Sequence, residues 1–275
     1  MECISMKSEE SAIVMRRVEY GDFDVILTLF SRSKGKFSAI AKNARKSRRR
    51  FSGRLELFSV LHPDCSQPKS GGMPVLQEVQ LMEPFENLRT DFIRMGYAAY
   101  WCEILCLWLE EGAAQPEVYD LLESMLRELH LGKGKPEVLS LLYQLRFLTL
   151  SGLAPGLDVC GGCEAPMFDV RAGRIRFDYG RSRILCGTCS PLARIFSMAP
   201  GTVKTLCWLQ ERKDQGAGRM QFSREAALEG LFFLESFISF HMGRDFRSLK
   251  YLQSVRRTAG ISPEIISFPV CRLKA

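Results

Sequence analysis

The chain has 275 residues, of which 46% are hydrophobic and 25% are charged, and this ordinary globular usage excludes a wholly disordered, collagen-like or coiled-coil protein. Its uncharged apolar runs fall short of the roughly 18 residues of a membrane helix, and its N-terminus has no basic start before an apolar core, so we expect neither a membrane span nor a secretory signal. The 38 Lys and Arg exceed the 31 Asp and Glu and give a net charge of +7. This value is modest, and the position of the charges along the chain is more informative.

Residues 12–81 have the pattern of a small all-β domain. Segments rich in β-branched and aromatic residues, bounded by Gly, Asp, Ser or Pro, predict five short strands. These strands are 12–18, 25–30, 36–41, 55–61 and 75–81. Because no helix-length segment separates them, we expect a small barrel and not a β-α-β unit.

From Pro84 onward, apolar residues recur at intervals of three and four, which is the pattern of amphipathic helices. Pro116 and Pro136 stand where a first helical turn accepts proline. The predicted helices are 88–109, 117–129, 136–150, 200–210, 223–240 and 246–257. Between the third and fourth helices, in residues 157–191, this periodicity disappears.

These patterns predict an α+β protein with three parts. Residues 1–82 form a small β-barrel, and the basic strand–loop–strand within it is typical of an OB-fold, which binds nucleic acid. Residues 83–275 form an all-α domain, and residues 157–191 interrupt that domain as a zinc-finger insertion.

Four cysteines in the insertion stand in two C-x2-C pairs that 22 residues separate: Cys160, Cys163, Cys186 and Cys189. This is close to the spacing of a zinc ribbon, and Gly161-Gly162 permits the backbone angles of a tight turn that aims two sulfurs at one point. Four thiolates leave no position open for substrate, so the predicted Zn²⁺, one per chain, is structural. Unmetallated surface thiols are the alternative. A hairpin between 168–170 and 174–177 is expected to separate the pairs.

The positive charge is concentrated in residues 31–55, hereafter the basic segment. It has no Asp or Glu, and its basic residues are Arg32, Lys34, Lys36, Lys42, Arg45, Lys46, Arg48, Arg49, Arg50 and Arg54. Ten cations exceed the net charge of the whole chain, which favours a polyanionic partner, since phosphate contacts release condensed counterions. The alternatives are a solvated loop and an anionic lipid surface, but no amphipathic helix carries these charges.

Aromatic side chains accompany the basic segment. They are Tyr20, Phe23, Phe30, Phe37 and Phe51. Such rings stack on unpaired bases in single-strand-binding proteins, whereas phenylalanines in strands usually face a core. The sequence leaves both interpretations open.

The sequence offers no catalytic site. Its three histidines are far apart and none begins an H-x-E motif, which argues against a zinc deaminase, and the G-x-x-x-x-G-K-[ST] nucleotide loop is absent. Without a signal peptide, the ten cysteines indicate a reducing cytoplasm. We therefore expect a binding protein and not an enzyme. An RNA-binding zinc-ribbon factor of translation or transcription and a thiol-based enzyme are the alternatives.

The order of these features resembles the bacterial RecO family of DNA-repair and recombination proteins. The resemblance begins with AIVMRRVEYGDFDVILTLFSRSKGKFSAIAKNARKSRRRFSGRLELF at 12–58 and continues with LRTDFIRMGYAAYWCEILCLW at 88–108. It includes RFLTLSGLAPGLDVCGGC at 146–163, CGTC at 186–189 and LESFISFHMGRDFRSLKYL at 234–252. It therefore covers nearly the whole chain.

The resemblance implies a non-enzymatic recombination mediator of the bacterial cytoplasm and nucleoid. Proteins of this family bind single- and double-stranded DNA, anneal complementary strands and, with RecR, help RecA replace the single-strand-binding protein SSB. The cations from Lys34 to Arg54 match the family's basic positions. The helical domain grips the acidic C-terminal tail of SSB, and the candidate cations for that tail are Arg127, Lys133, Lys135 and Arg146.

Two positions depart from the family. Asn43 stands where relatives usually have glycine, and since asparagine also adopts left-handed angles, we expect the turn to survive. Arg183-Ile184-Leu185 replaces the usual Gly-Gly before the second cysteine pair. The ligands are unaffected, but the local shape of the insertion is expected to differ.

Overall fold

The chain divides into two compact units, Met1–Leu131 and Gly132–Ala275. The computed structural model describes residues 5–6, 10–68, 71–166, 173–190, 195–211 and 223–261. Among the helices in these ranges, none is long and apolar enough to cross a lipid bilayer.

Six strands of the first unit form one sheet that closes into a barrel. They are β1 (Ser5–Met6), β2 (Ala12–Tyr20), β3 (Asp24–Ser31), β4 (Gly35–Ala41), β5 (Val60–Ser66) and β6 (Val75–Glu83). Strands β2, β3 and β4 form an antiparallel meander, β5 pairs with β2 and β6, and a parallel bridge joins β4 to β6. This closed order is that of an OB-like barrel, so the predicted barrel is confirmed.

The interior of the barrel is filled by alternate residues of its strands, since successive side chains of a strand point to opposite faces. Val14, Leu27 and Leu76 are fully buried there. Asn43, just after β4, has a φ of 55°. The expected left-handed turn at Asn43 is therefore confirmed.

The fourth predicted strand, 55–61, is wrong in position, because β5 begins only at Val60. Leu55 and Phe58 are buried, so their apolar character reflects packing from a loop and not strand alternation. Phe58 has a φ of 72°, which interrupts the extended backbone. The true strand runs on through Asp64, a residue type of low strand propensity, and the sequence pattern therefore missed its second half.

Three helices follow the barrel in the first unit. They are α1 (Asn87–Thr90), α2 (Phe92–Trp108) and α3 (Pro116–Leu131). The predicted single helix 88–109 is two helices because Asp91 has an extended backbone, and its carboxylate accepts hydrogen bonds from the N–H groups of Ile93 and Arg94. The barrel and these helices share one compact unit, although strand gives way to helix close to the predicted domain boundary at residue 82.

Within its described residues, the second unit is built around four helices. They are α4 (Pro136–Leu150), α5 (Pro200–Glu211), α6 (Arg224–Met242) and α7 (Arg247–Thr258). Helix α6 packs against both α4 and α5. A buried ion pair between Glu235 and Arg256 joins α6 to α7.

A small antiparallel sheet interrupts the helices of the second unit, with strand order β8-β7-β9. Its strands are β7 (Ile175–Asp178), β8 (Arg183–Leu185) and β9 (Ile195–Met198). Phe177 meets Phe233 and Phe237 of α6 at centroid distances of 4.7 and 5.4 Å. These ring contacts fix the sheet to the central helix.

This sheet differs from the predicted hairpin. Residues 168–170 lie outside the described residues, and β7 pairs with β8 and β9. The departure Arg183-Ile184-Leu185 supplies a whole strand, β8. Because β9 belongs to the same sheet, the sheet extends past the predicted end of the insertion at 191.

Candidate metal centre and nucleic-acid interface

The four cysteines of the predicted quartet converge at one point in the second unit. Their sulfur atoms all lie within 4.8 Å of one another, and the Sγ atoms of Cys163 and Cys186 are 3.7 Å apart. A tetrahedron of metal–sulfur bonds of about 2.3 Å has sulfur–sulfur edges of about 3.8 Å. The donor set and its dimensions therefore fit a metal ion with four thiolate ligands.

Backbone hydrogen bonds fix the first cysteine pair to β8. The N–H of Glu164 donates to the carbonyl oxygen of Cys160, and the N–H of Gly161 donates to that of Ile184, each over 2.9 Å. Glu164 takes the left-handed angle of this turn, with a φ of 61°. The turn thus closes through a non-glycine residue.

Gly161 and Gly162, between the cysteines of the first pair, lie where a larger residue would collide with its neighbours. Neither Gly161 nor Gly162 has a positive φ, so the predicted reason, backbone angles, is wrong. A Cβ on Gly162 would lie 2.8 Å from the Cβ of Cys189, and a Cβ on Gly161 would lie 2.8 Å from the Cβ of Arg183. Gly162 is therefore explained by close packing against Cys189 of the second pair, and Gly161 by close packing against Arg183 of β8.

The sulfurs of the quartet differ in electrostatic environment. Burial acts to raise the pKa of Cys160, but backbone N–H donors, among them those of Cys186 and Gly162, lower it to about 6. The thiols of Cys186 and Cys163 raise the pKa of Cys189 to about 12. Four thiolates this close repel one another, and a cation among them removes that repulsion. The donor chemistry therefore favours a bound metal.

The basic segment is folded over the barrel. Its Phe51 and Leu55 are buried in the barrel core, although neither belongs to a strand. The N–H of Asn43 donates to the carboxylate of Asp24 over 2.7 Å, and the N–H of Arg45 donates to the carbonyl oxygen of Phe23 over 3.0 Å. The hydrogen bonds fix the start of the loop between β4 and β5, and the two buried side chains fix its later part.

Several cations of the segment are already engaged within the first unit. The ammonium of Lys36 donates to the carbonyl oxygen of Cys106 in α2 over 2.8 Å. Arg32 forms two hydrogen bonds with Asp120, of 2.9 and 3.0 Å. Arg45 lies 3.3 Å from a carboxylate oxygen of Glu19. Other contacts involve backbone carbonyl oxygens: those of Arg50 with Gln77 and Lys42, and that of Arg54 with Val79.

Other cations of the segment are exposed and available to bind a partner. The side chains of Lys42, Arg48 and Arg49 are exposed and have no hydrogen bond or ion pair with any residue that the structure describes. Lys34 is also exposed, and the ammonium of Lys46 lies 3.3 Å above the ring of Phe23. The predicted DNA-binding set therefore separates into engaged and available side chains.

The aromatic residues beside the charge also separate. Phe30 and Phe51 are buried, and Phe37 packs against the barrel core. Tyr20 is 57% exposed. Arg16 is an exposed cation on β2 that lies outside the basic segment, so the clustering of charge in the sequence did not indicate it. Only the register of β2 against β3 shows that Arg16 lies on the outer face of the barrel.

The four candidates for the SSB tail lie in different compact units. Arg127 of α3 belongs to the first unit and pairs with Glu83 and Glu123 over 2.8 and 3.1 Å. Lys133 and Lys135 are exposed, and Arg146 of α4 is half-buried; these three belong to the second unit. An incoming carboxylate would have to displace two existing partners to reach Arg127.

Both parts of the chain are similar to described families. Residues 6–85 match the family described as "Recombination protein O N terminal", and residues 89–250 match "Recombination protein O C terminal". Curated relatives named "DNA repair protein RecO" include that of Desulfatibacillum aliphaticivorans, 42% identical over 90% of this chain and 96% of the relative. Those of Desulfosudis oleivorans and Anaeromyxobacter dehalogenans strain 2CP-C are 36% and 33% identical, over 89% of this chain and 96% and 95% of the relatives.

Proposed function

The chain belongs to the RecO family of DNA repair proteins, and we propose that it is a DNA-binding recombination mediator. In this proposal it anneals complementary single strands and helps a recombinase load on SSB-coated DNA during recombinational repair, at the nucleoid in the cytoplasm. The basic segment supplies the DNA contacts, and the partners are single- and double-stranded DNA, RecR, the C-terminal tail of SSB and, indirectly, RecA.

The main support for this proposal is the charge and position of the basic segment. It brings ten cations and no acid to one loop-and-strand region of an OB-like barrel, and buried Phe51 and Leu55 fix that loop. Lys42, Arg48 and Arg49 are the strongest phosphate ligands because their charges have no partner among the described residues. Ordered cations on a rigid barrel bind a phosphate chain without a large entropic cost.

Annealing by such a surface requires no catalysis. Two complementary strands repel each other through their phosphates, and a cationic surface that holds both lowers this repulsion. No covalent bond forms or breaks, so no nucleophile or general base is needed. We propose accordingly that the protein is not an enzyme.

In the same proposal, the quartet holds one structural Zn²⁺. All four ligand positions are filled by sulfur, so the ion has no open position for a substrate. The chemistry it supplies is the neutralisation of crowded thiolates, and Cys160, Cys163, Cys186 and Cys189 hold it. The ion joins the first cysteine turn to the end of β8 and thereby stabilises the small sheet.

The proposed site for the SSB tail is on the second unit. Lys133 and Lys135 precede α4 with exposed ammonium groups, and Arg146 lies further along the same helix. An acidic peptide end is recognised by cations beside apolar surface. Arg127 stays a weaker candidate because two carboxylates already bind it.

Annealing of SSB-coated complementary oligonucleotides tests the proposal. We expect the parent chain to accelerate annealing and the triple variant Lys42→Ala, Arg48→Ala, Arg49→Ala to lose most of that acceleration while keeping its circular dichroism spectrum. The matched control removes three other exposed cations, Lys204, Arg244 and Arg257. Competition by structured RNA that exceeds competition by single-stranded DNA of equal length would instead favour an RNA-binding factor, and equal annealing by the triple variant would contradict the proposal.

A further inference from the structure

Strand register places a set of apolar side chains on the outside of the barrel. Directly opposed residues of antiparallel strands point to the same face. Val18 is opposite Ile26, and Ile26 is opposite Ile40. The adjacent residues Val25 and Leu27 are buried in the core, so Val18, Ile26 and Ile40 point outward. Tyr20, two residues after Val18 on β2, shares this face; these four residues are called the outer strip.

The outer strip is open at the end where the β2–β3 turn lies. Tyr20 is 57% exposed and Val18 is 37% exposed. The other end of the same face is covered within the first unit, where α2 contacts β2 and Lys36 of β4 donates to the carbonyl oxygen of Cys106. Among the described residues, the apolar surface is therefore accessible on the side of the turn.

Cations border this open end. The basic segment is fixed there by hydrogen bonds from Asn43 to Asp24, the residue opposite Tyr20, and from Arg45 to Phe23. Lys46 lies over the ring of Phe23. Lys42 follows β4 two residues after Ile40, next to the strip. An exposed aromatic ring thus stands beside several positive charges on a rigid sheet.

We infer that the outer strip is a base-contacting surface for single-stranded DNA and that Tyr20 is its stacking residue. The inference rests on the proposed function and adds how the site distinguishes strand types. Phosphates pair with the adjacent cations, while an unpaired base lies on the ring of Tyr20, an interaction that tolerates any base. In a duplex both faces of each base are covered by neighbouring bases, so Tyr20 contributes only to binding of single strands. Phe37 and Phe51 pack in the barrel core, and Phe30 is buried beside Tyr119 of α3 at a ring-centroid distance of 5.6 Å, so none of the three is free to stack on a base.

The test compares Tyr20→Ala with the parent on three probes of equal length: oligothymidylate, an abasic single strand and a blunt duplex. We expect Tyr20→Ala to lose about ten-fold in affinity for oligothymidylate, with an unchanged salt slope because no phosphate contact is lost. Affinities for the abasic strand and for the duplex should be unchanged. Tyr20→Trp should bind oligothymidylate at least as well as the parent, because it keeps a stacking ring.

The matched control is Tyr251→Ala, which removes a 40%-exposed tyrosine from α7 of the second unit and should bind every probe like the parent. Unchanged oligothymidylate affinity in Tyr20→Ala, or an equal loss on the abasic strand, would overturn the inference. Failure of the proposed function has a different signature, namely a parent chain whose DNA binding does not depend on salt.

Discussion

At Gly162, the side chain of Cys189 leaves no space for a larger residue. Its φ is not positive, and a Cβ there would approach the Cβ of Cys189 to 2.8 Å and its sulfur to 2.9 Å. Real Cβ contacts are not this short, so a larger residue must push Cys189 away from the other three sulfurs. Gly187, in the second pair, has no heavy atom within 4 Å of an added Cβ and no positive φ.

Replacing Gly162 with alanine should therefore weaken metal binding, whereas Gly187→Ala should not. Displacement of residues that position metal ligands typically costs about 10- to 100-fold in metal affinity, and we expect a loss in this range for Gly162→Ala. Competition with a chromogenic chelator measures it. Equal affinities of the two variants would show that the predicted crowding is relieved without moving a ligand.

At the scale of single elements, the loop between β4 and β5 shows how a highly charged segment keeps a fixed position. Its cations face solvent while Phe51 and Leu55 are 3% and 4% exposed in the barrel core. The guanidinium of Arg50 lies 4.9 Å from the ring centroid of Phe51. The apolar anchors thus position the charges that the proposal assigns to DNA.

Phe51→Ala tests this anchoring. Truncation of a buried phenylalanine costs about 3–5 kcal/mol of stability, and we expect this loss in urea unfolding. Phe92→Ala is the control, since Phe92 is 70% exposed and surface substitutions usually stay within about 0.5 kcal/mol. Equal stability of both variants would mean that Phe51 does not anchor the loop.

The small sheet of the second unit is the element that metal removal should affect. Tyr179 lies 5.8 Å from the ring of Phe177 and 6.4 Å from that of Phe233, so its near-ultraviolet circular dichroism reports on the packing of the sheet. Structural zinc contributes on the order of 10 kcal/mol in finger peptides, and its removal should abolish that aromatic signal and expose the region to proteases.

Single-strand affinity should survive the same treatment, because the basic segment belongs to the first unit. A spectrum and a proteolysis pattern that chelation leaves unchanged would contradict a structural role for the metal. Cys163→Ser is expected to reproduce the effect of chelation without a chelator.

At the scale of the whole molecule, sequence reasoning succeeded where the determining interactions are local. Two residues separate Cys160 from Cys163, and two separate Cys186 from Cys189; this repeated spacing predicted that the four sulfurs converge. Helical periodicity predicted most helix ends within a few residues. It could not predict that Lys36 is bound by the carbonyl oxygen of Cys106, 70 residues away along the chain. The exposure of Tyr20 likewise depends on a register shift between Val14 and Arg16, which no local pattern encodes.

The positive charge of the molecule is concentrated in one part of the chain. Ten cations concentrated in one segment of the first unit exceed the +7 of the whole chain, so the remainder is slightly acidic. Such an asymmetry guides a polyanion to one surface of the protein. The proposed DNA binding therefore depends on direct contacts between that segment and phosphates.

The salt dependence of single-stranded DNA binding measures these phosphate contacts. If about six cations contact phosphates, the logarithm of the binding constant should fall against the logarithm of salt concentration with a slope near −4, and the variant Lys42→Ala, Arg48→Ala, Arg49→Ala should show a slope of about −2. A parent slope near zero, or the same slope in parent and variant, would contradict the account.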